Sequence, residues 1–352
     1  MTANRPRPKA QVAERLLSGG INFNDYFKLV KRTDENGEDW PATCEAMGDA
    51  DFAYAEEQEK LGRTDTARFF FNAAQTLYRA GQYDLSELTD EKLRIYHKLD
   101  ESTRRAAKLY NPPWEEIRIP YKGYEMEGWL MLPQNMKPNN PILLMIPGAT
   151  GFKEEYITQC APHVERGTAV LLMDGPGQGT TLYFNKGYLE VEVEKAYSVM
   201  IDWIKADGRF GKIGIQGGSS GGYYVPRAAA TDKRIEACAI NGGTYYQEGI
   251  LDFNYVYRHK FATLFGVEDD EMDKIFPQMN LEGLCDKITC PILIVNGDKD
   301  PIANPKWSVK IYEEVSSADK TIKLYPGGWH CSVGYDNEAF RYMADWMAEH
   351  LR

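Results

Sequence analysis

Residues 212–230 read Lys-Ile-Gly-Ile-Gln-Gly-Gly-Ser-Ser-Gly-Gly-Tyr-Tyr-Val-Pro-Arg-Ala-Ala-Ala. The short apolar run Lys212–Ile215 is a strand, and Tyr223–Ala230 has the small and apolar residues of a buried helix. Four glycines and two serines lie between them. A turn that sharp needs small residues two before and two after its apex, so that the two backbones can cross closely. It leaves the apex serine exposed at the end of a sheet and aims the following backbone N–H at whatever negative charge develops there. Two frames fit, since Ser219 lies between Gly217 and Gly221, and Ser220 between Gly218 and Gly222. Ser219 is favoured because the double glycine follows it and its distance from the strand is the usual one. A glycine-rich turn without chemistry is the plainer alternative, as Gly and Ser are common turn residues.

Outward from this turn, the chain from Pro113 alternates strands and helices. Glu115–Tyr121 and Glu125–Leu132 read as a hairpin joined at Lys122-Gly123. Apolar runs recur at Pro141–Ile146, Ala169–Met173, Glu236–Ile240, Pro291–Val295 and Thr321–Leu324. Helical stretches separate them at Glu154–Glu165, Tyr188–Lys205, Trp307–Val315 and Asn337–His350. Buried runs flanked by helices make a mostly parallel sheet covered on both faces, an α/β architecture. The insert Tyr245–Leu284, rich in Tyr, Phe and acidic residues, interrupts the rhythm between two core strands and is expected to form part of a lid over the ligand crevice. Before Asn111-Pro112-Pro113 nearly everything reads helical. Asp49–Ala80 carries apolar residues at helical spacing with stops at Gly62 and Gly81, and Thr89 opens a further helix to about Tyr110. No second copy of the hairpin around Gly62 recurs at a fixed period, so this is not a solenoid. The expected division is a helical segment over 1–112 and a sheet domain over 113–352.

A serine hydroxyl needs a base. Of the five histidines, His97 and His259 fall in helices of the covering segments, His163 lies within a helix, and His350 is expected to fray or be solvated near the end. His330, in the loop Pro326–Cys331 after the last strand, is placed to reach the turn at Ser219. A third group should orient the imidazole. Asn296-Gly-Asp-Lys-Asp-Pro301 follows another strand, and Asp300 is favoured over Asp298, with turn capping as the structural alternative for either. The resulting order is Ser219, Asp300, His330. Ser220 N–H is one expected oxyanion donor. The other comes from the loop Pro147-Gly-Ala-Thr-Gly151, at Ala149 or Thr150. Asp174-Gly-Pro-Gly-Gln-Gly179 reads as a structural turn in which Asp174 ties down the loop. Glu248, Tyr223 and Tyr245 are candidates for a substrate pocket, against the plainer readings of a solvated lid residue and core aromatics.

Composition narrows the functional classes. The 352 residues carry a net charge of −11, which disfavours nucleic acid and anionic membrane surfaces. No apolar stretch approaches the roughly 20 residues of a membrane helix, and the N-terminus shows no secretory h-region. Six cysteines without a Cys-x-x-Cys pair argue against a disulfide framework or a structural zinc site, and the expectation is free thiols in the cytoplasm. No cofactor or metal is expected.

With the strand-end serine, aspartate and histidine in that order, the chain resembles the α/β-hydrolase superfamily over about 113–352. The Asp174–Gly179 turn, Phe152-Lys-Glu-Glu155 and the helical N-terminal segment narrow the resemblance. They point to the group of 2,6-dihydroxypseudooxynicotine hydrolase, fungal heptaketide chain-shortening hydrolases and FrsA-like esterases. That resemblance implies a Ser219-Asp300-His330 triad, N-terminal helices and an insert covering the site, and a homodimer. It also implies cleavage of a carbon–carbon bond beside a ketone in an aromatic or polyketide-like small molecule, with ester hydrolysis or acyl transfer as alternatives on the same triad. A binding protein that kept the fold is the non-enzymatic alternative. The loop Pro147–Gly151 differs from the Gly-Leu-Asp/Glu-Ser-type run of the nicotine-pathway enzyme, so the resemblance speaks to chemistry more than to substrate.

Overall fold

A computed structural model of the chain describes residue 5, residues 12–82 and residues 85–352. It divides into two compact units, Met1–Trp114 and Glu115–Arg352, just after Asn111-Pro112-Pro113.

The first unit is helical: α1 Val12–Ser18, α2 Phe23–Val30, α3 Trp40–Lys60, α4 Thr64–Gly81 and α5 Asp90–Ala107. Helix α3 begins well before the expected Asp49, because Pro41 sits in the first turn, where a missing N–H costs nothing. Gly62, at φ +71°, turns the chain between α3 and α4. Thr89 caps α5 by accepting the Lys92 N–H at 3.3 Å. Burial of Leu16, Leu29, Trp40, Cys44 and Leu77 makes one core cluster, and Ala55, Ala67, Phe71 and Ala106 make a second. Trp40 donates its indole N–H to the Ala80 carbonyl at 2.8 Å, so the largest side chain of this core leaves no polar atom unpaired.

The second unit holds eight strands: β1 Glu115–Tyr121, β2 Tyr124–Met131, β3 Asn140–Ile146, β4 Ala169–Met173, β5 Phe210–Gly218, β6 Ile235–Asn241, β7 Ile292–Gly297 and β8 Lys320–Tyr325. They form one sheet in the order β1-β2-β4-β3-β5-β6-β7-β8. The pairs β1/β2 and β2/β4 are antiparallel and the rest parallel. Its helices are α6 Ile157–Glu165, α7 Gly179–Tyr183, α8 Glu194–Asp207, α9 Gly221–Thr231, α10 Val256–Phe265, α11 Met272–Ile275, α12 Pro305–Glu314 and α13 Asp336–Leu351. On β5, Gly214 faces Met347 and Leu351 of α13, whereas Gly217 faces the start of α9, so the two faces are covered by different helices. Helix α6 packs with α13 and α8 with α9.

Helix α8 starts at Glu194, not at the expected Tyr188. Leu189 is held in non-helical backbone by donating its N–H to the Leu264 carbonyl at 2.7 Å and by packing on Gly177. The insert after β6 is broken into short helical pieces rather than one lid helix. Its base is stitched: Gln247 N–H donates to the Met279 carbonyl at 2.9 Å and Leu281 N–H to the Tyr245 carbonyl at 3.1 Å.

The strand order places the site. From β3 the chain crosses outward to β4 on one side and then to β5 on the other, so the loops after β3 and β5 diverge. The crevice opens where connections leave in opposite directions.

Candidate active site

Ser219 sits at the end of β5 with φ +57°, a left-handed conformation that costs a non-glycine residue about 1–2 kcal/mol. Its N–H donates to the Asn241 carbonyl at 2.9 Å, which anchors the turn to the end of β6. The glycine requirement now has a cause. A Cβ on Gly217 would lie 2.4 Å from the Gly221 carbonyl oxygen, and one on Gly221 would lie 2.6 Å from that of Ile146 and 2.7 Å from that of Pro147. The crossing pair is Gly217 and Gly221, so the apex is Ser219. Ser220 is buried, and its Oγ accepts from the Gln247 amide at the start of the insert.

The structure brings Ser219, His330 and Asp300 into one chain of contacts. Ser219 Oγ lies 2.8 Å from His330 Nε2, and His330 Nδ1 lies 2.8 Å from Asp300 Oδ2. A carboxylate only accepts, so Nδ1 carries the proton and Nε2 is free to accept from the serine. The Asp300 side chain is shut off from solvent, and its other oxygen accepts the N–H groups of Ile302 and Ala303, each at 2.8 Å. Three donors therefore fix the carboxylate. Asp298 does something else: it accepts the Gly327 N–H at 2.7 Å and braces the loop that carries the histidine. Burial opposes charge on His330, but the Cys331 sulfur and the Asp300 carboxylate outweigh it and hold the imidazole pKa well above its usual value.

Asn241, which no sequence motif announced, joins the two loops. Its backbone carbonyl takes the Ser219 N–H, its amide donates to the Cys331 carbonyl at 3.0 Å, and its Oδ1 accepts from the Ser332 hydroxyl at 3.1 Å. Cys331 and Ser332 both have positive φ, at +56° and +63°, and these bonds hold that strained bend. Cys331 Sγ lies 3.5 Å from His330 Nε2.

The loop after β3 lies against the serine: a Cβ on Gly148 would be 3.0 Å from Ser219 Cβ. Gly148 N–H donates to the Tyr156 hydroxyl at 3.0 Å. Among the described residues, no acceptor takes the N–H groups of Ser220, Ala149 or Thr150. Helix α9 begins at Gly221, so the positive end of its dipole faces the same point. An anion beside Ser219 Oγ would meet these donors.

The three pocket candidates have other hydrogen-bond partners or stand exposed. Tyr223 is fully buried on α9, and its hydroxyl accepts from Arg227 at 3.2 Å. Tyr245 donates its hydroxyl to Glu314 at 2.7 Å, and Glu248 is exposed. None of the three hydrogen-bonds to Ser219, Asp300 or His330, and the two tyrosine hydroxyls are committed to ion-pairing neighbours. Of the remaining histidines, His163 is fully buried, with its pKa pushed down to about 3 by burial, so it stays neutral. His350 neither frays nor stands free: Nδ1 meets the Trp346 carbonyl at 2.7 Å, Nε2 meets Asp319 at 3.0 Å, and the ring stacks on Trp346. Among the described residues no group of His, Cys, Asp and Glu is arranged to hold a metal ion, and no helix is long and apolar enough to cross a membrane.

Known proteins share parts of this sequence and its fold. A family model described as serine aminopeptidase, S33, matches residues 278–337, the stretch that carries Asp300 and His330. The α/β hydrolase ucsC of an Acremonium species is 31% identical over 245 residues, 62% of this chain and 50% of that protein. A 2,6-dihydropseudooxynicotine hydrolase from Paenarthrobacter nicotinovorans is 26% identical over 74% of this chain and 69% of that protein. The crystal structure of a 2,6-dihydroxy-pseudo-oxynicotine hydrolase superposes with a TM-score of 0.88 at 22% identity, over 96% of this chain and 95% of that one. The chain has the α/β-hydrolase fold. It spans about half the length of the first curated relatives it matches. In this α/β-hydrolase fold the sheet, the turn at Ser219 and the loops bearing Asp300 and His330 occupy one strand-end crevice, as the strand order requires.

Proposed function

We propose that the protein is a serine hydrolase of carbonyl compounds, with Ser219 as nucleophile, His330 as base and Asp300 as its orienting group. The observation that carries this reading is the continuous hydrogen-bonded chain from Ser219 Oγ through the imidazole to Asp300, with both links at 2.8 Å. His330 Nε2 takes the hydroxyl proton as Oγ attacks the carbonyl carbon. The tetrahedral oxyanion is held by the N–H of Ser220 and one N–H of the Ala149–Thr150 pair. Collapse breaks the bond to the leaving group, which His330 protonates. Water, deprotonated by the same imidazole, then releases the acid from Ser219.

The favoured substrate is a ketone in which a carbon–carbon bond breaks, an aromatic or polyketide-like small molecule. The electrons of the broken bond need a sink, so the leaving carbon must sit beside a carbonyl or on a phenol ring that takes them as enolate or phenolate. Two things support this choice: the resemblance to the dihydroxypseudooxynicotine hydrolase group and the match to a relative bearing that hydrolase name over most of this chain. Ester hydrolysis is the second reading, because an alkoxide leaves readily from the same intermediate. A ferulic acid complex of Est1E from Butyrivibrio proteoclasticus, TM-score 0.55 over 66% of this chain, is among the structural relatives that favour it.

The test is turnover of a β-diketone, an acyl-phenol ketone and p-nitrophenyl esters by the protein and by Ser219→Ala. The proposal expects the ketones to be cleaved with kcat/KM above that of the esters, and every activity to fall at least ~10³-fold in Ser219→Ala. Ester turnover with intact ketones would replace the C–C reading by the esterase one. Equal activity in Ser219→Ala would remove both.

A further inference from the structure

The turn Asp174-Gly-Pro-Gly-Gln-Gly179 holds a side chain whose contacts go beyond a structural turn. Gln178 is buried, and its amide nitrogen donates to the Pro147 carbonyl at 2.6 Å and to the Gly148 carbonyl at 3.1 Å. Its amide oxygen accepts the Gly175 N–H at 2.8 Å, which fixes the amide orientation: flipping it would face oxygen against two carbonyls. We propose that Gln178 is the positioning residue of the oxyanion hole, holding the Gly148–Ala149 peptide so that the Ala149 N–H faces the carbonyl attacked by Ser219. This rests on the serine mechanism proposed above.

In a planar trans peptide the carbonyl and the next N–H point in opposite directions. Tethering the Gly148 carbonyl to Gln178 therefore aims the Ala149 N–H away from Gln178 and toward the open side of the loop. The loop lies against the serine, where a Cβ on Gly148 would stand 3.5 Å from Ser219 Oγ. Tyr156 fixes the other end of Gly148. Its hydroxyl accepts the Gly148 N–H and donates to the Gly218 carbonyl at 3.4 Å, which sets the loop in register with the turn at Ser219. Gly148 N–H is thus consumed, Ala149 N–H is not, and it is the Ala149 peptide, not that of Thr150, whose carbonyl Gln178 holds, which selects Ala149 as the second donor.

Gln178 itself is anchored. Buried Asp174 accepts the Thr180 N–H at 2.9 Å and, with its other oxygen, the Lys153 N–H at 2.7 Å. Lys153 Nζ reaches Asp174 at 3.1 Å and Thr180 Oγ at 2.6 Å. The turn and the far end of the oxyanion loop are therefore one hydrogen-bonded body. Glutamate in place of Gln178 keeps the shape but offers no donor and sets a carboxylate against two carbonyls.

The experiment compares wild type, Gln178→Glu and Gln178→Ala. Readouts are steady-state kinetics on whichever substrate is turned over, the rate of labelling by an alkyl fluorophosphonate, and thermal unfolding. In labelling, a Ser219 Oγ–P bond forms, the P–F bond breaks, and fluoride leaves as His330 takes the proton. The proposal expects kcat and the labelling rate to fall about 10²-fold, the range for loss of one oxyanion donor. It also expects KM to stay within threefold and the acid-limb midpoint of the pH profile to stay unchanged, a pattern that simple loosening of the fold would not give. Labelling and kcat within threefold of wild type in either folded variant would overturn it while leaving the serine mechanism in place. Should Gln178→Glu not fold, Gln178→Ala decides alone. A wild type that is not labelled at Ser219 would instead remove the mechanism on which the inference rests.

Discussion

At the scale of single residues the account turns on who holds the imidazole and in what state. Asp300 gives its carboxylate to His330 and two backbone N–H groups, whereas Asp298 takes the Gly327 N–H and has the Lys299 ammonium 3.9 Å away. Asp300→Asn should lower kcat about 10⁴-fold by stabilising the wrong tautomer. Asp298→Ala should cost about 1 kcal/mol of stability, with kcat within a few-fold. Kinetics and urea unfolding on both variants check this, and the reverse pattern would make Asp298 the orienting group. The pH dependence follows from the raised pKa of His330. Only the neutral imidazole accepts the serine proton, so activity is present above that pKa and is lost as pH falls through it. The acid limb of kcat/KM should therefore have its midpoint above the ordinary histidine value of about 6.5, and Cys331→Ala should move it downward. A wild-type midpoint at or below 6.5 would contradict the assigned environment. Ser219, Asp300 and His330 were legible in the sequence because each carries chemistry in its side chain at a strand end. Asn241 and Gln178 were not, because they act on backbone groups distant in sequence, and nothing in their neighbours marks which carbonyl they will meet.

Elements were legible where burial dictates pattern. The strands β3 to β7 are apolar runs because both faces of the sheet are covered, and β4 matches its apolar run Ala169–Met173 end to end. Residues 188–193 misled because their apolar spacing serves contacts with Leu264 and Gly177 rather than a helix face. The turn between β5 and α9 carries its own prediction. A methyl on Gly221 would meet two backbone oxygens of the neighbouring strand end, neither of which can move without breaking the sheet. A methyl on Gly283 meets nothing and suffers only its φ of +63°. Gly221→Ala should therefore cost about 3 kcal/mol or more, and Gly283→Ala about 1–2 kcal/mol, compared by urea unfolding. Helix α9 is also tied to the insert. Buried Arg227 makes a two-bonded pair with Glu194 at 2.8 and 2.9 Å and donates to the Asn280 carbonyl at 3.0 Å. Arg227→Ala leaves a buried carboxylate unpaired and should destabilise by about 3–5 kcal/mol, seen as a fall in Tm. A change below 1 kcal/mol would mean that the pair contributes no more than a surface bridge.

For the whole molecule, the charge of −11 disfavours a polyanionic ligand. The fold was readable from three short motifs in chain order. The substrate was not, because the sequence pattern does not specify which partners side chains such as Tyr223 and Tyr245 will meet, here Arg227 and Glu314. The central claim is that Ser219, not Ser220, forms the covalent bond. The direct measurement is intact-protein mass spectrometry after exposure to an alkyl fluorophosphonate, for wild type, Ser219→Ala and Ser220→Ala. The account predicts a single phosphonyl adduct on wild type and Ser220→Ala, and none on Ser219→Ala. An adduct that persists in Ser219→Ala, or that disappears only in Ser220→Ala, would contradict it.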